Sequence, residues 1–560
     1  MPTASHHAQT LPLRAHRRVI IAASLGTGFE WYDFFLYGSL AGVISRQFFA
    51  SVGETTGFIF ALLTFAAGFA VRPFGALLFG RLGDLVGRKQ TFLTTIIIMG
   101  TATTLVGVLP NYASAGILAP ACLIGLRMLQ GLAIGGEYGG AAIYVAEHAP
   151  PDQRGRNTSW IQLTANLALL LSLAVIVICR VALGSQFEIW GWRIPFLLSA
   201  ILLGISVYVR LQLAESPVYR QMIATGSRSR APVREAFGNG ANVKRILAAL
   251  FGATAGMNVV WYTGQLYVLF FLTQVLKVDP QQVSMLLGCV LLLSTPLYLL
   301  FGRMSDRVGR KKIIMLGMAL AALTYFPIYR AITHFANPAV EEASERAPVQ
   351  VWAQREDCGL QFDPVGKHRF VRSCDIAKQA LARAGVPYSM RFGSAATVIA
   401  AVRIGDANDD GTGVANTVPA FDGTRLTNTQ FEQESADFTQ RLNHALATAG
   451  YPAKADPARV NAPMLLLLLF VLAVYVALVT APMASWLVEL FPPRIRYTSM
   501  SVPYHIGAGW FGGFMPAVAF TLVAITGDIY SGLWYPVIVV GFTAIAGSLL
   551  LPETAGRGDA

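Results

Sequence analysis

One charged, glycine-spaced segment occurs twice in this chain, and the second copy begins 222 residues after the first. The first charged loop is Gly80-Arg-Leu-Gly-Asp-Leu-Val-Gly-Arg-Lys89, and the second is Gly302-Arg-Met-Ser-Asp-Arg-Val-Gly-Arg-Lys311. Strongly apolar sequence surrounds both copies. An internal repeat of this kind is typical of duplicated membrane bundles, among them secondary transporters.

Twelve apolar runs are long enough to cross a hydrocarbon core of about 30 Å. Only 13% of the 560 residues are charged and 54% are hydrophobic, whereas about a quarter of a soluble protein is charged. The first run lacks the cleavage site of a signal peptide, so we expect it to be retained. We predict membrane-spanning helices at 19–44, 56–80, 91–110, 116–145, 158–180, 193–212, 246–273, 283–302, 313–333, 463–488, 499–526 and 531–551.

The basic residues are concentrated in alternate short loops. Arg81, Arg88 and Lys89 lie in one such loop, whereas 110–116 in the next has none. This positive-inside pattern predicts that both termini are cytoplasmic. Because topology explains the net charge of +12, we predict a bilayer and no nucleic acid as partner. The chain also has no phosphate-binding loop and no metal-ligand spacing, so we expect neither an enzyme nor a cofactor nor a metal site.

Further paired segments support the duplication and reveal an insertion. Trp31 to Tyr37 in the first run parallels Trp261 to Tyr267 in the seventh, and Glu215 parallels Glu553. Glu147, which precedes Arg154-Gly-Arg156, parallels Glu489, which precedes Arg494-Ile-Arg496. The offset between copies rises by 120 residues from Asp306 to Glu489, so we infer an insert at 335–460 between the ninth and tenth spans.

The insert has balanced charges, turn-forming residues and no spanning run. We predict a small α+β domain with helices at Cys374–Ala384 and Gln430–Ala449 and a β-like stretch at Ala395–Val402; a partly disordered loop is the alternative. Its position predicts an extracytoplasmic, periplasmic location. Cys358 and Cys374 are the two cysteines outside the predicted spans, and an oxidising compartment favours a disulfide between them over two unrelated thiols.

These observations predict an all-α membrane protein with twelve transmembrane helices in two six-helix pseudo-repeats and a small α+β insert between helices 9 and 10. The predicted segments are an N-terminal tail (1–18), the first half (19–213), a central cytoplasmic loop (214–245), helices 7–9 (246–334), the insert (335–460), helices 10–12 (461–552) and a C-terminal tail (553–560).

Carboxylates inside an apolar span are costly and suggest function. Glu30 and Asp33 are three residues apart and share a helix face, whereas the matching positions of the seventh span are Val260 and Thr263. We therefore regard both acids as candidates for proton coupling. The alternative is that they only bond neighbouring helices.

Two more charged residues lie inside the fourth span. Arg127 requires a carboxylate or an anionic ligand, and we expect Glu30 or Asp33 as its partner. Glu137 lies ten residues further along and is a second proton-relay candidate.

Aromatic and polar residues would line a central cavity if the first and seventh spans face each other. Tyr504, His505 and Trp510 in the eleventh span are equally compatible with packing alone. The cavity candidates are Tyr32, Tyr37, Arg72, Gln130, Asn258, Trp261, Tyr262, Gln265 and Tyr267.

Several segments together carry a family resemblance. They are Glu30-Trp-Tyr-Asp33, Arg72-Pro-Phe-Gly-Ala-Leu-Leu-Phe-Gly80, Arg127-Met-Leu-Gln-Gly-Leu-Ala-Ile-Gly-Gly-Glu-Tyr-Gly-Gly140, Ala146-Glu-His-Ala149, Glu215-Ser-Pro217, Glu489-Leu-Phe-Pro492 and Arg496-Tyr497. In these segments the chain resembles the major facilitator superfamily and, within it, the metabolite:H⁺ symporter family. The resemblance covers nearly all of the chain except the insert.

The resemblance implies that the charged loops form a latch on the cytoplasmic side and that Arg127 and Gln130 belong to a motif linked to proton transfer. The first loop has Leu85 where a basic residue is usual, so we expect its latch to lack one ion pair that Arg307 provides in the second. We also expect Glu147 to pair with Arg154 or with the charged loop. The latch candidates are Gly80, Asp84, Gly87, Arg88, Glu147, Arg154, Gly302, Asp306, Arg307, Gly309, Arg310, Glu489 and Arg494.

The resemblance also implies import of a small organic acid together with H⁺ across the bacterial cytoplasmic membrane, by a monomeric unit and without a cofactor. Intramembrane Arg72 and Arg127 favour an acid, although Arg72 could instead belong to the latch. A proline/betaine-type osmolyte is the alternative, disfavoured by the lack of a C-terminal coiled coil. A sensor that uses the external insert and a facilitator without proton coupling are the other hypotheses.

Overall fold

The computed structural model describes residues 24, 26–29, 31–33, 35–49, 54–212, 214–359, 370–393, 399–405 and 416–555. Within these ranges the chain forms an all-helical bundle of membrane type, with one small sheet near 349–419.

The long helices are numbered here by their order in the bundle. The first, α1, includes helical residues at 26–29, 31–33 and 35–39 and continues as Ala41–Phe48. The others in the first half are α2 (Glu54–Leu85), α3 (Arg88–Val108), α4 (Leu118–His148), α5 (Arg154–Leu183) and α6 (Arg193–Leu211). Short helical segments at Tyr112–Ala115, Pro151–Gln153 and Phe187–Gly191 connect them, and Pro217–Ala224 and Pro232–Gly238 lead to the second half.

The second half contains helices α7 to α12. They are α7 (Gly240–Val275), α8 (Pro280–Val308), α9 (Arg310–Ala336), α10 (Ala462–Leu490), α11 (Pro493–Thr526) and α12 (Ser531–Leu550). Two of them contain π-helical turns, which are often found at functional sites. The turns are Leu250–Thr254, Thr263–Tyr267 and Phe271–Val275 in α7 and Gly507–Gly512 in α11.

Ten helices of the described part of the chain, α3 to α12, are long and apolar enough to cross a membrane. The prediction of a helical membrane bundle is therefore confirmed, whereas the number twelve stays a prediction. Of the two remaining predicted spans, 56–80 lies within α2, and 19–44 includes residues that the structure does not describe.

Glycines bring α2 and α4 into backbone contact. A Cβ added at Gly131 would lie 2.0 Å from the carbonyl oxygen of Gly68, and one at Gly75 would lie 2.0 Å from that of Leu132. Small residues at such a crossing permit the close approach on which helix association in a membrane depends.

We expect Gly131→Ala to destabilise the protein by about 1–3 kcal/mol, because the added methyl group meets backbone that cannot move alone. The measurement is the melting temperature of the detergent-purified protein. Gly125→Ala on the same helix is the matched control, since a Cβ there meets no atom within 4 Å. Equal melting temperatures for the two variants would contradict this account of the crossing.

The segment between α9 and α10 carries the sheet. Its strands are β1 (Val349–Ala353), β2 (Ser389–Phe392), β3 (Ala401–Ile404) and β4 (Asn416–Pro419), in the order β2-β1-β3-β4. β2 is parallel to β1, and the other two pairings are antiparallel. This arrangement agrees with an α+β insert. Of the predicted β-like stretch 395–402, residues 401 and 402 lie in β3, residues 399 and 400 precede that strand, and 395–398 lie outside the described residues.

Helices Pro338–Arg346, Ser373–Ala384 and Asn428–Thr448 complete the insert. The last begins at a capping box, in which Thr427 accepts from the Gln430 amide and the Gln430 side chain accepts from the Thr427 amide. Residues of all three helices share an apolar core with the sheet. A disulfide joins Cys358 to Cys374.

The insert contacts the ends of α7 and α11. The Tyr388 amide donates to the Gly527 carbonyl at 3.0 Å, and Lys277 Nζ donates to the Arg383 carbonyl at 2.6 Å. A Cβ at Gly385, whose φ is +71°, would lie 2.0 Å from the Val275 carbonyl oxygen. The insert is therefore packed directly on two helices of the second half.

Candidate functional site

A small cavity of about 30 Å³, lined by apolar and polar side chains, lies between the two halves. The first half contributes residues from α1, α2, α4 and α5, and the second half contributes residues from α7, α10 and α11. The indole rings of Trp31 and Trp261, which occupy matching positions in the repeat, are 5.9 Å apart between their centroids. The lining residues are Trp31, Arg72, Ile134, Tyr138, Gln162, Met257, Asn258, Trp261, Tyr262, Thr480, Tyr504, His505 and Ala508.

Four of the nine predicted cavity residues line it: Arg72, Asn258, Trp261 and Tyr262. Arg72 is therefore not in the latch. Its guanidinium carbon lies 4.3 Å from the centroid of the Phe69 ring. Arg72 thus contributes its guanidinium group to the wall of the cavity.

The other five predicted cavity residues are not among the lining residues. Tyr32 lies in the core of the first half, where its hydroxyl donates to the Pro195 carbonyl at 3.2 Å. Tyr37 lies in the same core, and Tyr267 packs among aromatic rings of the second half. Gln265 is half-buried away from the cavity, and Gln130 belongs to a neighbouring network. These side chains point away because each helix presents only part of its circumference to the cavity.

Asp33 is 6% exposed and lies in a polar network inside the first half. Ser199 Oγ of α6 donates to Asp33 Oδ1 at 2.5 Å, and the Thr103 hydroxyl of α3 is a second hydrogen-bond partner of Asp33. Gln130 Nε2 donates to Thr103 Oγ1 at 2.8 Å, while Arg127 Nη1 donates to Gln130 Oε1 at 2.5 Å. The network thus connects Asp33 to Arg127 through two neutral side chains.

Arg127 also lies over the Tyr37 ring, with 4.0 Å between the guanidinium carbon and the ring centroid. Glu30, the other predicted partner of Arg127, lies outside the described residues. Arg127 and Asp33 are close enough to interact electrostatically. The two residues therefore remain candidates for a coupled pair.

Glu137 forms a buried ion pair that the sequence analysis missed. Arg210 Nη2 at the end of α6 donates to Glu137 Oε1 at 2.5 Å, and Thr95 Oγ1 donates to Glu137 Oε2 at 2.7 Å. Both side chains of the ion pair are at most 2% exposed. The position of Arg210 at the end of an apolar span resembles that of an ordinary interfacial anchor, so no distinct signal in the sequence marks it as a partner of Glu137.

The first charged loop binds the start of a helix from the other half. Asp84 accepts hydrogen bonds from the Thr498 amide at 2.9 Å and the Thr498 hydroxyl at 2.8 Å, and Arg88 Nη1 donates to it at 2.9 Å. The amides in the first turn of a helix lack intrahelical partners and favour a negative charge. Asp84 therefore fastens α2 of the first half to α11 of the second.

The second charged loop makes the reciprocal contact. Asp306 accepts from the amides of Gly155 and Arg156 at 2.8 and 2.9 Å, at the start of α5, and it pairs with Arg310 at 3.1 Å. Gly87 and Gly309 occupy equivalent turns, and their φ values of +126° and +119° favour glycine. We call this end of the bundle the latch end.

Glycines allow this close approach between the halves. A Cβ at Gly80 would lie 2.9 Å from the Thr498 Cα, and one at Gly302 would lie 2.7 Å from the Gly155 carbonyl oxygen. A larger residue at Gly80 would push α2 away from α11, and one at Gly302 would push α8 away from α5.

Two buried carboxylates connect the halves at the same end. Glu147 pairs with Arg496 at 3.0 Å and approaches Arg88 at 3.9 Å. Glu489 pairs with Arg310 at 3.0 Å and approaches Arg154 at 3.9 Å. Glu147 and Arg154 belong to the first half, whereas Glu489 and Arg496 belong to the second, so ion pairs cross in both directions.

In addition, one carboxylate in each half binds the charged loop of its own half. Glu215 accepts from the Lys89 amide at 3.2 Å, and Glu553 accepts from the amides of Arg310 and Lys311 at 2.9 and 3.1 Å. The pairing of Glu215 with Glu553 in the repeat thus corresponds to matching contacts.

Two expectations about the latch are corrected. Arg494 is not part of it, because its side chain pairs at 2.9 Å with Glu235 and is half exposed; Arg496 takes the position equivalent to Arg154. Arg307 is exposed and makes no ion pair within the described ranges. The second loop therefore has no ion pair from Arg307 that the first loop lacks at Leu85, and the expected difference between the two loops is absent within the described ranges.

Two helical halves that meet at a central cavity and are fastened together at one end define a membrane carrier of the alternating-access type. Residues 19–250 match the family described as "Sugar (and other) transporter". The chain is 34% identical over 332 residues to the shikimate transporter of Escherichia coli (strain K12), covering 58% of this chain and 74% of that protein. The chain belongs to the major facilitator superfamily.

Two further comparisons extend this result. The chain is 35% identical over 306 residues to a putative proline/betaine transporter of Staphylococcus haemolyticus (strain JCSC1435), covering 54% of this chain and 64% of that relative, which is less than two thirds of its length. The fold is similar to that of the major facilitator superfamily proton:xylose symporter XylE bound to 6-bromo-6-deoxy-D-glucose, with a TM-score of 0.57 at 15% identity over 98% of each chain. This last likeness concerns the fold alone.

Proposed function

We propose that the protein is a proton-coupled symporter that imports a small organic acid across a bacterial cytoplasmic membrane by alternating access. In this proposal the latch end and both termini face the cytoplasm, and the insert faces the periplasm. The functional unit is a monomer in the lipid bilayer, and the proton gradient drives it without a cofactor.

The reciprocal latch is the observation that carries the proposal. Two buried clusters of charged side chains and two helix-capping aspartates connect the halves at one end of the bundle, through Glu147–Arg496 and Arg154–Glu489 in the clusters and through Asp84 and Asp306. These contacts are discrete, so they can be made in one state and broken in another. A carrier that rocks about a central site needs such a two-state closure.

The cavity supports an acidic substrate. Arg72 supplies a positive charge at its wall, and Asn258 and Gln162 supply polar groups. Asp33, buried in the network that leads to Arg127, is the group that we propose to carry the proton.

A zwitterionic osmolyte is the second candidate. The relatives named as proline/betaine transporters support it, and the aromatic side chains of Trp31, Trp261 and Tyr262 at the cavity could bind a quaternary ammonium group through cation–π contacts. Both candidates carry a carboxylate, but the net negative charge of an organic acid interacts more favourably with the Arg72 guanidinium than a neutral zwitterion does.

The test is uptake by proteoliposomes that contain the purified full-length protein. With an acidic exterior, we expect accumulation of at least one labelled organic acid above equilibrium, and we expect a protonophore to abolish it. Accumulation of proline or betaine but of no acid would favour the second candidate. Equilibration that does not respond to the proton gradient would contradict coupling and favour a facilitator.

A further inference from the structure

The insert is attached to the bundle at the end opposite the latch end. α7 and α11 both start at the latch end, where Asn242 Nδ2 donates to Ser499 Oγ at 3.2 Å, and the insert contacts the opposite ends of the same two helices. Within the described ranges, the hydrogen bonds from the insert to the bundle all end on helices of the second half or on residues that directly follow them. The insert is therefore fastened to the second half.

One short segment of the insert, 383–388, joins the end of α7 to the end of α11, and we call it the docking segment. The Tyr388 amide donates to the Gly527 carbonyl at 3.0 Å, and the Tyr388 hydroxyl donates to the Ala524 carbonyl. A Cβ at Gly385 would lie 2.0 Å from the last carbonyl oxygen of α7. The last carbonyls of a helix lack intrahelical partners. Because the docking segment supplies such partners to α11 while it packs on α7, it fixes the distance between the two helix ends.

Lys277, two residues beyond the end of α7, adopts an uncommon backbone conformation. Its φ of +56° makes it the only non-glycine residue of the described ranges with a positive φ. The insert holds it from two sides: Lys277 Nζ donates to the Arg383 carbonyl at 2.6 Å, and the Ala455 amide donates to the Lys277 carbonyl at 3.0 Å. Such a conformation persists where the surrounding structure fixes it, and residues of this kind cluster at switch regions. The insert thus holds the end of α7 in an arrangement that a lysine does not favour by itself.

Both helices contain π-helical turns between the central cavity and the docking segment. In α7 these turns are Thr263–Tyr267 and Phe271–Val275, which follow the cavity residue Tyr262, and in α11 the turn is Gly507–Gly512, which follows Tyr504. A π turn that reverts to α-helical bonding moves the helix beyond it by one residue, about 1.5 Å along the axis and about 100° around it. The ends of α7 and α11 are therefore the parts of these helices that can shift relative to the cavity.

We propose that the insert is a strap that stabilises the latched state of the bundle. In a carrier that rocks, the end opposite the latch closes as the latch end opens, so the helix ends at the insert move. The docking contacts fit the arrangement in which the latch end is closed, and opening weakens them. Loss of the docking contacts should therefore favour opening at the far end of the molecule. This inference concerns the equilibrium between two states and goes beyond the proposed import of an acid.

Opening of the latch end is measured as the rate at which N-ethylmaleimide alkylates a reporter cysteine at position 159. The full-length protein is used in nanodiscs, and no substrate is added. Ser159 of α5 is fully buried, and a Cβ at Gly302 of the other half would lie 2.5 Å from its hydroxyl oxygen. Ser159→Cys is introduced after Cys122, Cys179 and Cys289 have been replaced, and the insert keeps its disulfide.

Gly385→Ala weakens the docking contact, because the added methyl group meets the end of α7 and the φ of +71° disfavours alanine. Gly405→Ala is the matched control. Gly405 also lies in the insert and has a φ of +92°, but a Cβ there meets no atom within 4 Å. We expect Gly385→Ala to raise the alkylation rate at least about threefold, a coupling of ordinary size between distant sites. The control should stay near the parent protein.

Tyr388→Phe tests the same contact with a gentler change. It removes the hydroxyl group that bonds to Ala524, at the end of α11. Tyr451→Phe is its control, because the Tyr451 hydroxyl donates to the Ala347 carbonyl at 2.9 Å within the insert and not to the bundle. We expect faster alkylation in Y388F and the parent rate in Y451F. Should Gly385→Ala fail to fold, this second pair decides the outcome.

An unchanged or slower alkylation rate in folded G385A and Y388F would overturn the proposal. It would also be overturned if G405A or Y451F accelerated alkylation as much as its partner variant, because the effect would then come from the fold of the insert and not from its docking. Since no substrate is present, the result does not depend on the uptake experiment. Failure of the strap leaves the proposed function untouched, and failure of acid uptake leaves the strap untouched.

Discussion

Replacing Asp33 with asparagine is expected to abolish accumulation of substrate against its gradient. Asp33 is the described intramembrane aspartate of the first half, and the amide of asparagine cannot gain and lose a proton as a carboxyl group does. Its oxygen can still accept the hydrogen bond from Ser199, so the packing of α1 against α6 should persist. We therefore expect loss of coupling without loss of the fold.

The measurement compares two modes of transport in the same proteoliposomes. Uptake driven by a proton gradient should fall to the level of protein-free liposomes in D33N, whereas exchange of labelled for unlabelled substrate at equal pH should continue. Exchange needs binding and the movement of the loaded carrier, but no net proton transfer. If D33N accumulates substrate like the wild type, Asp33 is not the coupling group.

Asp279→Asn is the matched control for this experiment. Asp279 caps the start of α8, where its side chain accepts from the Gln282 amide at 3.0 Å. Asparagine caps helices about as well as aspartate. The control therefore makes the same chemical change at an exposed site, and both modes of transport should remain at the wild-type level.

The membrane fold and the latch were largely predictable, because both follow from patterns that are local in the sequence. Apolar length identifies spans, and the repeated loop identifies carboxylates and arginines that make matching contacts in the two halves. One register was misread. Matching the letters of the two Arg-x-Arg motifs aligned Arg154 with Arg494, but counting seven residues from each glutamate aligns it with Arg496.

The cavity was less predictable, because the rotation of each helix about its own axis decides which side chains face the centre. Trp31 and Tyr32 are adjacent, yet a step of about 100° separates their directions on a helix. Trp31 lines the cavity, whereas Tyr32 points into the first half. The spans are apolar around most of their circumference, so periodicity gives little information on this rotation. The repeat did contain a signal, since Trp31 and Trp261 are equivalent and both line the cavity.

Replacing Glu147 with glutamine is expected to open the latch end. The Glu147 side chain is fully buried between Arg88 and Arg496, so the variant leaves two guanidinium groups without this carboxylate. Removing one partner of a buried ion pair costs about 3–5 kcal/mol. Because the pair with Arg496 crosses between the halves, this cost falls on the latched state, and the open state should gain population by about a hundredfold or more.

The population of the open state can be read from the alkylation rate of a single reporter cysteine. Ser305 is suitable because it is fully buried at the second latch, and a Cβ at Gly155 of the other half would lie 2.4 Å from its hydroxyl oxygen. Ser305→Cys is introduced after Cys122, Cys179 and Cys289 have been replaced, while the Cys358–Cys374 disulfide stays in place. We expect Glu147→Gln to raise the alkylation rate of this cysteine by at least about tenfold.

Glu235→Gln is the control, because it removes a different ion pair at the same end of the bundle. Glu235 and Arg494 are 2.9 Å apart, but their side chains are 33% and 52% exposed, and a pair of this kind contributes about 0–1 kcal/mol. The alkylation rate should therefore stay near that of the parent protein. Equal rates for both variants would mean that buried charge does not hold the latch end closed. A fast rate for Glu147→Gln alone would assign the closure to the ion pairs that cross between the halves.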